Sequence, residues 1–180
     1  MTGKDCAPEG SRPGGLDGLY MRRYFLCAAA LWAVDRAAKL WAVNDLSARP
    51  DGRLEAIGPL MRFQFARNTG AAFSAFAGNT LPLTLVTALL VVAVAIYLWR
   101  GRQNMRAATR AGLVMVLAGG LGNLYDRIVH GYVIDYIELT FVRFAIFNAA
   151  DVFICAGAAL CVIGLLLPDK RTVKRDGVDG

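Results

Sequence analysis

The sequence predicts an all-α membrane protein in which four transmembrane helices carry a small, outward-facing β-rich segment. Of its 180 residues, 56% are hydrophobic and the mean hydropathy is +0.43, whereas about 45–50% apolar residues are usual in a soluble domain. The apolar residues are gathered into runs instead of being mixed evenly with polar ones. These observations exclude a disordered, collagen-like or disulfide-stapled chain and indicate a membrane protein.

Four apolar runs define the predicted helices, at residues 24–43, 81–99, 111–125 and 149–167. A helix of about 20 residues crosses about 30 Å of hydrocarbon, and in lipid it satisfies its own backbone hydrogen bonds. The first run is an imperfect span because Asp35, Arg36 and Lys39 interrupt it. The third run is short and rich in glycine, which favours close packing against neighbouring helices.

Basic residues flank these runs at three places, and they predict the topology. They are Arg22 and Arg23 before the first run, Arg100, Arg102, Arg106 and Arg110 between the second and third, and Lys170, Arg171, Lys174 and Arg175 after the fourth. Short loops rich in Lys and Arg stay in the cytoplasm. Four spans bring all three groups to that side, so we expect both termini to be cytoplasmic and segments 45–80 and 126–148 to face outward.

The ends of the chain differ in composition from its membrane domain, which we place at residues 21–168. Residues 1–20 are rich in glycine and proline and are expected to form a disordered cytoplasmic tail. Residues 169–180 are expected to form a basic cytoplasmic tail. The net charge of +6 does not indicate a nucleic-acid partner, because the basic residues lie beside apolar runs and not on a face with interleaved aromatics.

The outer segments contain local signals for a strand and a turn. Residues 62–65 alternate polar and apolar side chains, which is the period of a half-buried strand. Asn68, Thr69 and Gly70 follow with turn chemistry. Aromatic residues suited to the membrane interface come after the third run, at Tyr132, Tyr136, Phe141, Phe144 and Phe147.

Acidic residues at membrane depth are costly, so each requires a partner or a function. Asp35 precedes Lys39 by four residues, in the favourable order for an ion pair on one helix face. Asp126 has Arg127 beside it and Asn123 three residues earlier, so polar partners are available to hold it. For both aspartates a structural role and a functional role remain open.

Asp135 and Asp151 differ from these because each lies in an apolar stretch of the sequence and has no basic residue nearby. The chain leaves the third run and re-enters at the fourth, so both carboxyl groups are expected at similar depth on the outer side. Two carboxyls in contact do not both ionise easily, and one then keeps a proton while the other acts as a base. Such a pair activates a water molecule for hydrolysis of an amide.

The sequence lacks the residues that other hydrolytic mechanisms require. It contains no HExxH and no GxSxG motif, and His130 is the only histidine. The four cysteines include no CxxC pair. We therefore expect neither a metal site nor a cofactor.

Four sequence blocks together resemble those of the lipoprotein signal peptidase (signal peptidase II) family, over about residues 24–167. They are Asn68-Thr69-Gly70-Ala71-Ala72-Phe73-Ser74, Gly122-Asn123-Leu124-Tyr125-Asp126-Arg127, Gly131-Tyr132-Val133-Ile134-Asp135-Tyr136 and Phe147-Asn148-Ala149-Ala150-Asp151. Asp35 with Lys39 is similar to the family's first block. The chain departs from the family's pattern at Arg36, where glutamine is usual, and at Leu121, where alanine is frequent.

The resemblance implies a multi-pass aspartyl endopeptidase of the bacterial plasma (inner) membrane, embedded in membrane lipids. Such an enzyme removes the signal peptide of a prolipoprotein just before a diacylglyceryl-modified cysteine, and the cyclic peptide globomycin inhibits it. The matching positions imply that Asp135 and Asp151 are catalytic. They also imply substrate-binding or supporting roles for Asn68, Asn123, Asp126, Arg127, Asn148, Asp35 and Lys39.

Two other functions are consistent with an apolar helical chain that contains acidic residues. A small proton-coupled transporter or channel uses intramembrane carboxyl groups as a relay, but its acids lie along a path near mid-membrane, whereas these cluster toward one side. A membrane assembly factor uses small-residue helix faces. That function leaves the Asp135 and Asp151 blocks without a purpose.

Overall fold

The computed structural model of the chain describes residues 14–70, 80–100 and 105–167. Helices and strands follow in the order α1 (Gly14–Trp41), a short π-helix (Ala42–Leu46), β1 (Arg53–Ile57), β2 (Met61–Asn68), α2 (Leu81–Arg100), α3 (Ala107–His130), β3 (Val133–Leu139) and α4 (Ala149–Leu166). The predicted combination of four long helices with a small β-rich segment is therefore confirmed.

Among the described helices, α2, α3 and α4 are long and apolar enough to cross a membrane. The apolar part of α1 is interrupted by Asp35, Arg36 and Lys39, and α1, although 28 residues long, does not meet the same condition of hydropathy and charge. Three of the four predicted spans thus have the required length and composition. A membrane crossing by α1 stays a prediction.

Two helices extend beyond their predicted bounds. α1 begins at Gly14, so residues 14–20, which were expected to be disordered, are helical. Leu16, Leu19 and Tyr20 continue the helical spacing of the apolar run, and extending an existing helix costs far less than nucleating one. α3 covers Ala107–His130 instead of 111–125, since the polar residues at its ends find partners within the protein. The rest of the predicted N-terminal tail and the predicted C-terminal tail lie outside the described residues.

The three strands form one antiparallel sheet in the order β1-β2-β3. β2 contains the predicted strand at 62–65. Its Gln64 pairs with Arg53 of β1, and its Asn68 pairs with Val133 of β3. β3 is a strand where the sequence analysis expected only interfacial aromatic residues. Its first four residues are all buried, so it lacks the alternation of a half-buried strand and gave no periodic signal.

Close helix contacts bring the parts of the site together. α3 packs against α1, α2 and α4, and small residues face each other where it meets α4, with Gly112 against Gly157 and Gly119 against Ala150. At Gly122 the neighbouring group is the carboxylate of Asp35 from α1. The predicted close approach of the glycine-rich helix is thereby confirmed.

An apolar cluster attaches the sheet to the end of α1. It contains the buried residues Ala42, Leu46, Ile134 and Tyr136, with Trp41 and Phe63 packed against them. The Trp41 ring meets the Phe63 ring edge to face, with the centroids 5.2 Å apart. Because Ile134 and Tyr136 are held in this cluster, Asp135 between them has a fixed position relative to the helices.

Candidate active site

One asparagine connects the two carboxylates that the sequence analysis singled out. Asn148 is the N-cap of α4, and its backbone N–H donates to Oδ2 of Asp151 at 3.1 Å while its side-chain oxygen accepts from the Asp151 N–H. The same side chain donates through Nδ2 to Oδ1 of Asp135 at 2.6 Å. A helix cap therefore brings Asp135 of β3 and Asp151 of α4 to one site.

Asn68 holds the second oxygen of Asp135. It lies at the end of β2 and donates through Nδ2 to Oδ2 of Asp135 at 2.9 Å. Its own Oδ1 accepts the Gly70 backbone N–H at 3.0 Å, which is the turn chemistry predicted at 68–70. Both oxygens of the Asp135 carboxyl, which is only 2% exposed, thus receive a hydrogen bond from an amide.

Asn123 of α3 performs the corresponding role for Asp151. Its Nδ2 donates to Oδ1 of Asp151 at 2.7 Å. Its Oδ1 accepts from Nζ of Lys39 at 3.0 Å and from Nδ2 of Asn148 at 3.2 Å. Three asparagines from three different elements therefore hold the two carboxylates.

A buried ion-pair cluster of Asp35, Arg36, Lys39 and Asp126 lies beneath the asparagines. Lys39 Nζ is 3.2 Å from Asp35 and 2.8 Å from Asp126, which confirms the pairing of Asp35 with Lys39. Arg36 bridges the same two aspartates at 2.9 and 2.6 Å. Two positive and two negative groups balance here, as burial of charge requires.

The two aspartates of this cluster also bind backbone of the elements that carry the site. Asp126 accepts the Ile134 N–H of β3 at 3.2 Å. Asp35 accepts the Ala150 N–H in the first turn of α4, also at 3.2 Å. The cluster therefore fixes the strand residue before Asp135 and the helix residue before Asp151.

Arg127 does not pair with Asp126, contrary to the partnership suggested by their adjacency. Consecutive helix residues point in different directions, and Asp126 turns toward α1 while Arg127 donates to the backbone oxygen of Asn123 at 3.4 Å. Arg127 instead borders a cavity next to Asp151.

Two residues of the site, Arg36 and Tyr136, were not predicted from the sequence. Arg36 was treated as an interruption of an apolar run and as a departure from the family's pattern, although a second cation beside Asp35 was a signal for a larger ionic cluster. Tyr136 was expected at the membrane interface, yet it is buried and its hydroxyl oxygen accepts the Ala149 N–H at 3.3 Å. Burial raises the pKa of this phenol to about 12, so it stays protonated.

The electrostatic surroundings of Asp135 favour its neutral form. Burial raises the pKa of this carboxyl group, the charge of Asp151 raises it further, and the hydrogen bonds from Asn68 and Asn148 oppose the rise, with a result of about 7. A buried acid beside a second acid is the arrangement in which one proton is retained. Asp135 is therefore suited to donate a proton near neutral pH.

Each of the two carboxylates lines a cavity. One of about 470 Å³ is lined by Asp151 and Arg127 together with apolar side chains of α4 such as Val152. The other, of about 800 Å³, is lined by Asp135 and by polar residues of the sheet. Both share Asn68 and residues 144–146 as walls.

Within the described parts of the chain, no group of three or more His, Cys, Asp or Glu side chains is arranged to hold a metal ion. The polar groups of the site are carboxyls, amides and cations. They are equipped for proton transfer and for binding a peptide backbone.

Known proteins resemble this chain over most of its length. The family described as Signal peptidase (SPase) II matches residues 27–167. The lipoprotein signal peptidase of Clostridium novyi (strain NT) is 37% identical over 140 residues, which is 76% of this chain and 93% of the relative. That of Gloeobacter violaceus is 33% identical over 150 residues, which is 83% of this chain and 84% of the relative.

Two solved structures of bacterial membrane enzymes have a similar fold. One superposes with a TM-score of 0.71 at 22% identity and covers 88% of this chain and 93% of its own. The other has a TM-score of 0.69 at 24% identity, with 82% and 94% covered. Together with the sequence relatives, they show that the chain is a multi-pass membrane protein of the signal peptidase II family, a family of aspartic peptidases.

Proposed function

We propose that Asp135 and Asp151 form a catalytic pair that removes the signal peptide of a prolipoprotein, at the bond before a diacylglyceryl-modified cysteine. The observation that carries this proposal is the position of Asn148, which hydrogen-bonds Asp135 through its side chain and Asp151 through its backbone. A single residue thereby holds both carboxyls against one cleft. The family to which the chain belongs supports the choice of substrate.

The proposed reaction adds one water molecule across the scissile amide. Asp151 accepts a proton as the water oxygen bonds to the carbonyl carbon, and protonated Asp135 donates to the carbonyl oxygen. The C–N bond then breaks as Asp151 gives its proton to the leaving nitrogen, and a hydroxyl group of the tetrahedral carbon returns its proton to Asp135 as the carbonyl reforms. The products are the carboxyl end of the signal peptide and the amino group of the lipid-modified cysteine.

The roles follow from the two environments. The raised pKa of Asp135 supports its assignment as the acid. Both carboxyls accept N–H hydrogen bonds from two asparagines, but only Asp151 lies in the first turn of α4, where the helix dipole favours negative charge. We therefore assign Asp151 as the base.

The proposed topology places this site on the outer side of the bacterial inner membrane, with both termini cytoplasmic. The site lies where α3 ends and α4 begins, whereas Arg100 ends α2 and Arg106 precedes α3 at the other end of α3. Short loops rich in Lys and Arg remain in the cytoplasm. The apolar cavity beside Asp151 then faces the bilayer, from which the signal peptide and the lipid chains approach.

A cleavage assay with a diacylglyceryl-modified prolipoprotein tests the proposal, using the purified chain in detergent. We expect Asp135→Asn and Asp151→Asn each to lower turnover by about 10³-fold or more, with melting temperatures that show a folded protein. Asp45→Asn, which changes an exposed carboxyl in the short π-helix after α1, is the matched control and should cleave normally. Turnover by both site variants would overturn the assignment.

Globomycin provides a second measurement on the same samples. We expect it to block cleavage by the unmodified protein, because a cyclic peptide that fills the cleft excludes the substrate. Full activity at a globomycin concentration that saturates a family member would contradict binding of globomycin in this cleft. It would not affect the assignment of Asp135 and Asp151 as the catalytic pair.

A further inference from the structure

We propose that the cavity of about 800 Å³ beside Asp135 binds the part of the substrate that follows the cleaved bond, and that it favours acidic residues there. The inference rests on the proposed function. It concerns a segment of the substrate that the hydrolysis itself does not require. Arg143, in the turn after β3, is the residue to which we assign this preference.

The direction of the substrate follows from the chemistry of the two cavities. A signal peptide is apolar and remains in the bilayer, so it belongs in the cavity lined by Val152, Cys155 and Ala156 of α4. The segment beyond the cysteine leads away from the membrane into a water-soluble protein. It therefore leaves through the other cavity, whose walls include Arg62 and Glu138 on the sheet.

The charge of this second cavity is positive away from the catalytic pair. Arg62 and Glu138 neutralise each other through two hydrogen bonds of 2.7 and 2.9 Å. Arg67 stacks on the Phe65 and Tyr132 rings, and it has no acidic partner among the described residues. Arg143 is exposed and likewise makes no salt bridge with any described side chain. These two cations remain available to an acidic peptide.

The position of Arg143 indicates which substrate residues it reaches. β3 continues for four residues from Asp135 to Leu139, about 13 Å at 3.3 Å per residue. The chain then turns and comes back, so that Phe147 pairs with Ile137. Arg143 lies in that return at the far end of the cavity, opposite the third to fifth residues of an extended peptide. Near the bond itself, the catalytic carboxyls repel an acidic residue.

The test compares lipid-modified substrates that differ only in one charge, aspartate or lysine at the fourth residue after the cleaved bond. For the unmodified protein we expect kcat/KM to favour aspartate by about two- to fivefold at low salt, the range of an exposed ion pair, and the preference to fade as salt screens it. In Arg143→Glu the preference should reverse. Arg53→Glu, an exposed charge reversal on β1 outside the cavity, should leave the preference unchanged.

Equal kcat/KM for the two substrates in the unmodified protein overturns this inference, as does an unaltered ratio in Arg143→Glu. The same change of ratio in Arg53→Glu also overturns it, because it shows a general effect of net charge. These results are distinct from failure of the proposed function, in which neither substrate is cleaved at all.

Discussion

The ammonium group of Lys39 lies 3.0 Å from Oδ1 of Asn123, on a buried path that leads to the carboxyl group of Asp151. An amide whose oxygen accepts from a lysine must present its nitrogen elsewhere, and that nitrogen donates to Asp151 at 2.7 Å. Lys39 thus determines the orientation of the Asn123 side chain. The first helix therefore acts on the Asp151 carboxyl through the side chain of Asn123.

We expect Lys39→Met to lower the stability of the protein strongly. Lys39 is 1% exposed and contacts both buried aspartates of the ion-pair cluster. Breaking such a pair costs about 3–5 kcal/mol, or roughly 10 °C in melting temperature for a chain of this size. Thermal unfolding in detergent measures the change. Arg49→Met removes an exposed cation and is the control; equal melting temperatures for the two variants would falsify this prediction.

The pH dependence of cleavage should show a loss of activity on the alkaline side. The pKa of Asp135 is raised to about 7, so the acid keeps its proton below that pH and loses it above. We expect kcat/KM to fall toward higher pH with an apparent midpoint near 7, which belongs to the pair as a unit. A profile that stays flat to pH 9 would contradict the assignment of Asp135 as the acid.

The side-chain amide of Asn68 should influence the pH at which kcat/KM falls on the alkaline side. Its hydrogen bond to Asp135 lowers the pKa of that carboxyl, so its removal raises the pKa further. In Asn68→Ala we expect the midpoint of the fall to move to higher pH, whatever the change in the maximum rate. Asn44→Ala, at an exposed asparagine after α1, serves as the comparison. A midpoint that moves to lower pH would refute this role.

Close packing of α3 on α4 should be sensitive to one added side chain. A Cβ at Gly157 would lie 2.5 Å from the Gly112 oxygen and 3.0 Å from Cβ of Met115. Gly157→Leu should therefore separate the helices and lower the free energy of unfolding by about 1–3 kcal/mol or more. It should also lower turnover, because Asn123 is on α3 and Asp151 is on α4. Ala158→Leu, on the exposed face of α4, should have a small effect on both melting temperature and cleavage.

Much of the helical framework could be predicted from local pattern. Hydropathy located α2 and α4 almost to the residue, and glycine content indicated the close packing of α3. The i,i+4 spacing of Asp35 and Lys39 predicted their ion pair. These features depend on residues that are near one another in sequence, where helix geometry determines which side chains meet.

The partners of Asp126 could not be predicted in this way. Its neighbour Arg127 suggested an ion pair, but its actual partners Arg36 and Lys39 are on α1. β3 was missed as well, because a strand buried on both faces carries no alternation. Which charges pair across helices depends on how the helices are rotated against each other.

The sequence by itself determined the chemical groups of this protein: an apolar framework, two aspartates without basic neighbours, and the asparagines near them. Only the tertiary structure decided that Asn68, Asn123 and Asn148 connect to those aspartates, since their contacts join residues 67, 28 and 13 positions apart. Local periodicity specifies which side of a helix or strand is buried. The register of β2 on β3 and the cap of α4 specify which buried groups meet.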